Sequence, residues 1–231
     1  MALTSFRQAH EERIHYSAVT FRRLLNSLAC PGTLNQLTYP TFLGEPPVYY
    51  ADSGSVPLNL YALGAFSTLL DGETSFMLVA NGRCFEQDAL PVQWLTLRSG
   101  ARGAAPEAAD FVFFSDGKSG GLLPELRMGT FLEPESSATV FYCVEHLVEA
   151  RSARDSISMS SQPVSLRLSG PGIQEQRTVN VAGLAREEIG LIQGSRKSYP
   201  QGIDIYLVDS AGLCLGLPRT TRIHVEHTEG R

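Results

Sequence analysis

The segment 199–221 constrains the fold more than any other part of the chain, because it has the pattern of two strands joined by a tight turn. Residues 203–208 and 213–217 repeat apolar side chains at every second position, which is the period of a pleated strand. Between them, Asp209-Ser-Ala-Gly212 supplies an aspartate that can bond the backbone ahead of it and a glycine that tolerates positive φ. The pattern predicts a β-hairpin in the core of a sheet.

The exit from this hairpin is the first candidate for a functional surface. Pro218 cannot donate a ladder hydrogen bond, so strand pairing is expected to end there. Arg219, Thr220 and Thr221 then lie at a strand end, where open α/β sheets hold ligand groups. Two interpretations remain open, namely a surface for a ligand or partner, and a core hairpin whose end is merely solvated.

The remainder of the chain alternates helical and strand patterns without a two-part break. Residues 1–13 are polar and are expected to form a flexible N-terminus, and an amphipathic helix is predicted from Ser17 to Ala29. Residues 38–57 and 149–162 are predicted as irregular connections. Further strands are expected at 76–80, 109–114, 138–144, 164–168 and 177–181, and further helices at 59–70, 91–98 and 184–191. This order predicts a single α/β domain over residues 14–231 with a mixed central sheet.

Composition narrows the classes of function. The formal charge of −5 and the pI near 5.6 argue against a nucleic-acid binder, which needs clustered basic residues. The positive charges comprise 17 arginines and two lysines. Arginine suits interface ion pairs and bidentate contacts to carboxylates or phosphates, although a biased genomic composition would give the same count. No apolar run is long enough for a signal peptide or a membrane span, so a cytoplasmic protein is expected.

Two further places carry candidate site residues. Asp71 and Glu73 lie with Thr74 in a turn between a helix and a strand, where they could hold a ligand or metal or simply form the turn. Arg22 and Arg23 lie off the apolar stripe of the first helix, so they are either solvated or available to a partner or an anion.

Signatures of catalysis and of cofactor binding are missing from the sequence. There is no G-x-S-x-G elbow, no dinucleotide-binding glycine motif, and no pair of closely spaced cysteines that would indicate a zinc or iron–sulfur site. The glycine-rich segment 116–121 lacks the spacing of a P-loop. Lys118 and Lys197 fall in polar loops, where nothing lowers the pKa of an amine for Schiff-base chemistry. We therefore expect neither a metal nor a cofactor.

Six groups of segments, taken in order, resemble the PhnH family of phosphonate metabolism proteins, which form the H subunit of the bacterial carbon–phosphorus lyase core complex. Each group is short, but together they run from about residue 14 to residue 225. They are 20–32 (TFRRLLNSLACPG), 69–74 (LLDGET), 109–111 (ADF), Gly129 with 134–138 (PESSA), 168–173 (LSGPGI), and 199–204 (YPQGID) with 217–221 (LPRTT).

The resemblance implies a fold similar to the large domain of pyridoxal-phosphate-dependent transferases, without the cofactor lysine. It also implies a homodimer for the isolated chain and assembly with the G, I and J subunits of the core complex. The G, H, I and L proteins of the family are associated with making a ribose 1-phosphonate 5-triphosphate from ATP and an alkylphosphonate. No catalytic residue is carried over from the family.

Two hypotheses follow for the role of this chain. In the first, it is an accessory subunit without an active site of its own, and its surfaces dock partner chains. In the second, it binds a phosphonate or nucleotide itself near a dimer cleft, through Arg219, Thr220 and Thr221, with Asp71 and Glu73 as further candidates. Guanidinium suits such anions because it can donate two parallel hydrogen bonds.

Overall fold

The computed structural model describes residues 2–44, 46–47, 49–51, 54–56, 58–149 and 163–226. Within these ranges the chain forms four α-helices, α1 (Ala2–Ala29), α2 (Leu60–Ser67), α3 (Leu90–Ser99) and α4 (Arg186–Gly194). It also forms three short 3-10 helices, Pro106–Ala108, Leu123–Glu125 and Pro134–Ser136. The strands are β1 (Asn35–Gln36), β2 (Tyr49–Ala51), β3 (Gly54–Val56), β4 (Ser75–Ala80), β5 (Arg83–Cys84), β6 (Arg102–Gly103), β7 (Phe111–Phe114), β8 (Thr139–Cys143), β9 (His146–Glu149), β10 (Val164–Ser169), β11 (Arg177–Ala182), β12 (Asp204–Val208), β13 (Leu213–Leu217) and β14 (Arg222–Glu226).

The predicted hairpin is confirmed and lies inside the main sheet. Strands β12 and β13 pair antiparallel, with Ile205 opposite Leu217 and Val208 opposite Cys214. The eight-stranded sheet has the order β1-β13-β12-β8-β7-β4-β5, with β6 also paired to β4. The pairs β12–β8, β8–β7 and β7–β4 are parallel, whereas β1, β13 and β5 join antiparallel. The prediction of a single α/β domain with a mixed sheet is therefore confirmed.

Both faces of the main sheet are buried under helices or further strands, as is usual for sheets of parallel strands. On one face, Ile205, Leu207 and Leu217 belong to a cluster that also contains Ile189 of α4 and Leu166 of β10. On the other face, the alternate residues of the same strands pack with helices α1, α2 and α3; they include Tyr206, Val208 and Cys214. The hairpin thus contributes to two hydrophobic cores at once.

A second sheet is purely antiparallel and has the order β14-β10-β11-β9. The strands predicted at residues 164–168 and 177–181 are confirmed, and they pair with each other as β10–β11. Strand β14, which the sequence analysis did not predict, begins immediately after Thr221 and pairs with β10. The segment Pro218–Thr221 is therefore the link that carries the chain from the main sheet into the second sheet.

Helix α1 begins far earlier than the sequence pattern indicated. The predicted start at Ser17 is wrong, because the helix runs from Ala2 and Ser17 lies in its interior. Residues 2–13 lack a regular apolar stripe, but they are rich in alanine, glutamate, glutamine and arginine, which favour helices intrinsically. The C-terminal half of the helix lies on β13, where a Cβ on Gly216 would stand 2.4 Å from the Ser27 backbone. The absence of a side chain at Gly216 lets the helix approach the hairpin closely.

The two segments predicted as irregular connections, 38–57 and 149–162, can be compared with the structure to different extents. Residues 38–57 include the short hairpin β2–β3 in addition to irregular chain. The prediction for 149–162 falls almost entirely outside the described residues. Among the helices that the structure describes, none is both long enough and apolar enough to cross a membrane.

Candidate functional site

The hairpin exit lies beside the amino ends of the parallel strands of the main sheet, which is not where ligands usually bind. Open α/β sheets bind ligands at the carboxyl ends of their parallel strands. Strand β13 runs antiparallel to β12, so its own carboxyl end lies beside Asp204, the first residue of β12. Arg219 therefore lies beside the amino ends of the parallel strands. The rule that ligands bind at the carboxyl ends gives no support for a ligand at Arg219.

The Arg219 side chain is held by groups of the same chain. Its guanidinium donates to Asp204, with Nη2 2.7 Å from Oδ2 and Nε 3.3 Å from Oδ1. It also donates to the carbonyl of Pro134 at 2.5 Å and to the hydroxyl of Ser137 at 2.8 Å. The Arg219 and Asp204 side chains are 15% and 21% exposed, so the pair is largely shielded from water. The contacts indicate that Arg219 fastens the hairpin exit to the sheet.

A second Asp–Arg pair lies at the same end of the parallel strands, beside β7, which is the next strand after β8 in the sheet. Asp110, just before β7, accepts hydrogen bonds from the Arg127 guanidinium and from Ser75, whose hydroxyl is 2.6 Å from Oδ2. Burial opposes ionisation of Asp110, but the Ser75 and Arg127 donors outweigh it, so the pKa of Asp110 lies below its ordinary value. Asp110 before β7 and Asp204 at the start of β12 thus share one structural role, which is to bind an arginine guanidinium at this end of the sheet.

A cleft of about 510 Å³ opens beside the link between the two sheets. It brings together the predicted residues Arg219, Thr220 and Thr221, and adds cationic and polar groups from the end of α4 and from β14. Its lining residues are Gln193, Arg196, Tyr199, Arg219, Thr220, Thr221, Arg222, Ile223 and His224. We call this the link cleft; three arginines and a histidine line it, and no carboxylate does.

Arg196 is the least expected of these residues. It follows the end of α4, and its terminal nitrogens donate to the carbonyls of Ile192 at 2.9 Å and Leu217 at 2.7 Å, whereas its Nε is buried without a partner. Burial lowers the pKa of the Arg196 guanidinium to about 10, and the charge of Asp204 together with Tyr142 limits that shift. Arg196 is thus a poorly solvated cation, and Asp204, whose charge supports it, is already paired with Arg219.

The two threonines differ in their surroundings. Thr221 donates its backbone N–H to the Pro218 carbonyl at 2.8 Å, which closes a turn at the link. Its side chain is 1% exposed, and its hydroxyl is buried with no hydrogen-bond partner. Thr220 is half-buried in the same wall of the cleft.

A second cleft of about 480 Å³ adjoins the link cleft and shares Gln193 and His224 with it. Its other lining residues are Arg167, Arg186, Ile189 and Val225. Arg167 lies 3.8 Å from the Glu226 carboxylate, a distance typical of a loose surface ion pair. Across the described residues, the Arg186 and Arg222 side chains form no ion pair. The two clefts together form one continuous basic surface.

Asp71, Glu73 and Arg22 lie outside this surface. Asp71 accepts the backbone N–H groups of Glu73 at 3.0 Å and Thr74 at 3.2 Å, and so forms the turn before β4. Strand β4 is four strand spacings from β13, which is roughly 19 Å. Arg22 is exposed on α1. The described part of the chain contains no cluster of three or more His, Cys, Asp or Glu side chains that could hold a metal ion.

The glycine-rich segment 116–121 does lie at the carboxyl edge of the parallel strands, after β7. Its glycines serve backbone packing, because a Cβ on Gly117 would clash with the Gly183 carbonyl and one on Gly120 with the Gly82 backbone. Asp116 accepts the backbone N–H of Lys118 at 3.0 Å within the same turn. The turn is filled by the protein itself and presents no open cradle of N–H groups for a phosphate.

A buried carboxylate lies beneath the basic surface. Glu188 of α4 accepts a hydrogen bond from the Tyr142 hydroxyl at 2.5 Å and from the Ser119 backbone N–H at 3.0 Å. Burial, together with the charge of Glu188, raises the pKa of Tyr142 well above its ordinary value. Both carboxylate oxygens are occupied, so this pair joins α4 to β8 and to the loop after β7.

The sequence analysis missed Arg196, Arg222 and His224. Arg222 and His224 are two residues apart and therefore share a face of β14, a pattern that was visible in the sequence once a strand was assumed there. Arg196 carried no such signal, because its approach to β13 and the link depends on how the turn after α4 folds back.

Comparisons with known proteins agree with the family resemblance. The family model described as bacterial phosphonate metabolism protein (PhnH) matches residues 8–224. A Rhizobium meliloti (strain 1021) protein, alpha-D-ribose 1-methylphosphonate 5-triphosphate synthase subunit PhnH, is 28% identical over 208 residues, which cover 89% of each chain. A C-P lyase subunit protein of Stutzerimonas stutzeri, HtxG, is 31% identical over 129 residues. That match covers 56% of this chain and 58% of the length of HtxG.

Proposed function

This chain belongs to the bacterial PhnH family of phosphonate metabolism proteins, and we propose that it is an accessory subunit of a carbon–phosphorus lyase assembly. In this role it works with the G, I and L proteins to form a ribose 1-phosphonate 5-triphosphate from ATP and an alkylphosphonate. It joins the G, I and J subunits in the core complex, in the cytoplasm. Both relatives described above are themselves named as subunits.

We also propose that the fold is related to a domain of a known class of enzymes. The run of parallel strands β4, β7, β8 and β12, covered on both faces, supports a relationship to the large domain of pyridoxal-phosphate-dependent transferases. Such enzymes need a desolvated lysine to form a Schiff base. Lys118 and Lys197 are the two lysines of the chain, and both are exposed in turns. These positions support a scaffold that has a structural role and uses no cofactor.

The observation that carries the docking role is an apolar stripe on the outer face of α1. Ile14, Phe21 and Leu25 are 56%, 46% and 52% exposed, and the small Ala18 lies between them. Their spacing of four, three and four residues is that of a helix seam that packs against another helix. The opposite face of α1, with Tyr16, Thr20, Leu24 and Ser27, is already buried against the domain.

We assign this stripe to a second copy of the chain, and thus to a homodimer. A two-fold axis through the middle of the stripe would pair α1 antiparallel with its copy. That arrangement places Ile14 of each helix opposite Leu25 of the other, and Ala18 opposite Phe21.

Substituting Phe21→Glu is expected to convert the isolated protein from a dimer of 25.2 kDa chains into a monomer, since it buries a charge in the apolar seam. Size-exclusion chromatography with light scattering measures the mass. The matched control is Leu97→Glu, because Leu97 is the more exposed of the two exposed leucines on α3 and lies outside the stripe on α1. A wild-type monomer, or a Phe21→Glu variant that remains dimeric, would contradict the assignment.

Co-expression with the G, I and J subunits tests the role in the assembly. We expect this chain to co-purify with a tagged I subunit in a fixed ratio, and the Leu97→Glu control to behave in the same way. A core from which the chain is lost during purification under conditions that keep G, I and J together would count against the proposal.

A further inference from the structure

We propose that the link cleft and its neighbour bind the phosphate chain of a small organic polyphosphate. This inference goes beyond the accessory role, which requires no ligand. The cleft lies where α4 ends, where the link Pro218–Thr221 crosses between the sheets, and where β14 begins.

The first support is an excess of positive charge. The two clefts are lined by five arginines and one histidine, and by no carboxylate: Arg167, Arg186, Arg196, Arg219, Arg222 and His224. Arg219 is paired with Asp204 and Arg167 with Glu226, so the excess positive charge comes from Arg186, Arg196 and Arg222. The protein as a whole has a formal charge of −5, so this basic surface is local and is not a reflection of overall composition.

The second support comes from buried donors that lack partners. The Nε of Arg196 and the hydroxyl of Thr221 are both inaccessible and unpaired, and both residues line the link cleft. The charge of Asp204 supports the Arg196 guanidinium, but Asp204 is already paired with Arg219. An oxyanion in the cleft would add a counter-charge for this shielded cation.

The layout of the cations indicates an extended ligand. Arg222 and His224 lie on one face of β14, about 6.6 Å apart along the strand. Arg167 on β10 is directly opposite His224, so it points to the same face. The spacing of Arg222 and His224 alone is longer than a single phosphate group, and Arg196 lines the same cleft as both. A chain of two or three phosphates matches it better than one phosphonate does.

The size of the two clefts favours a small molecule over the acidic face of a partner protein. The two adjoining spaces of about 510 and 480 Å³ are each in the size range of ligand pockets. A protein partner would instead be expected to cover a surface of larger extent.

Calorimetric titration of the full chain with inorganic tripolyphosphate, ATP and methylphosphonate tests the proposal. We expect tripolyphosphate and ATP to bind, methylphosphonate to bind far more weakly, and added salt to weaken all three. Equal affinities for tripolyphosphate and ATP would indicate that the phosphate chain alone is recognised. Tighter binding of ATP would identify a nucleotide as the natural source, and either result supports the site.

The variant that tests the cleft is Arg222→Ala, because this exposed side chain forms no ion pair within the described part of the chain and its removal should not disturb folding. Loss of one charge-assisted contact should weaken tripolyphosphate binding about tenfold. His224→Ala provides a second variant in the same row, and Arg22→Ala is the matched control on α1. Melting curves verify that each variant is folded.

Two results would overturn the proposal. One is the absence of heat with tripolyphosphate and ATP at millimolar concentrations. The other is equal binding by Arg222→Ala, His224→Ala and Arg22→Ala. If the cleft variants instead fail to co-purify with the G, I and J subunits while no polyphosphate binds, the surface is a protein contact. These results leave the accessory role intact, since co-purification of the wild-type chain tests that role separately.

Discussion

Replacing Arg219 with alanine is expected to lower the free energy of unfolding by about 3 kcal/mol. The guanidinium satisfies Asp204, the Pro134 carbonyl and the Ser137 hydroxyl at once. Its removal leaves a largely shielded carboxylate without a counter-charge and frees the link between the two sheets. We therefore expect a stability defect even in the absence of any ligand or partner.

Urea denaturation followed by circular dichroism measures this effect. Arg219→Lys is the graded control, because it retains the charge but not the two parallel hydrogen bonds, and it should lose part of the stability. The double variant Arg219→Ala with Asp204→Ala should be less destabilised than the sum of the two single variants. A loss below about 1 kcal/mol for Arg219→Ala would place this pair among weak surface ion pairs and would contradict a structural role.

Replacing Phe66 with alanine should cost about 4 kcal/mol, which is the largest effect that we expect from one substitution. Phe66 on α2 is fully buried and makes edge contacts with three rings of the central strands, Phe76, Phe113 and Phe141. The ring centroids are separated by 6.4, 5.3 and 5.5 Å, respectively. Truncation leaves a cavity between α2 and the sheet that rigid neighbouring rings cannot fill.

The same denaturation experiment measures this loss. Phe66→Leu is the matched control, because it keeps much of the volume and should cost considerably less than alanine. If alanine and leucine have equal and small effects, α2 does not pack on the sheet through Phe66, and the second hydrophobic core has been assigned wrongly.

The hairpin shows how much of this fold could be predicted from the sequence. Its two strands, its turn at Asp209–Gly212 and its end at Pro218 follow from local chemistry, and all agree with the structure. The pairing of Arg219 with Asp204 was also within reach. Because Ile205 lies opposite Leu217, Asp204 must lie opposite Pro218, next to Arg219. The strand-end argument for a ligand site there did not take into account the direction of β13 relative to its neighbours, and the site itself stays a prediction.

Features that depend on distant parts of the chain could not be predicted. The basic surface joins residues from β10, the end of α4, the link and β14, and no sequence window contains more than part of it. The early start of α1 was hidden because its first half has no regular apolar stripe. Asp71 and Glu73 were proposed from turn chemistry, and the structure describes them in a turn far from Arg219.

The most direct test of the central claim is to reconstitute ribose 1-phosphonate 5-triphosphate formation from ATP and methylphosphonate, followed by phosphorus NMR. The account predicts product when the G, I and L proteins are combined with this chain, little product when the chain is omitted, and recovery when it is added back. The chain alone should form none. Full activity of the other proteins without it, or product formation by the chain alone, would contradict its role as an accessory subunit.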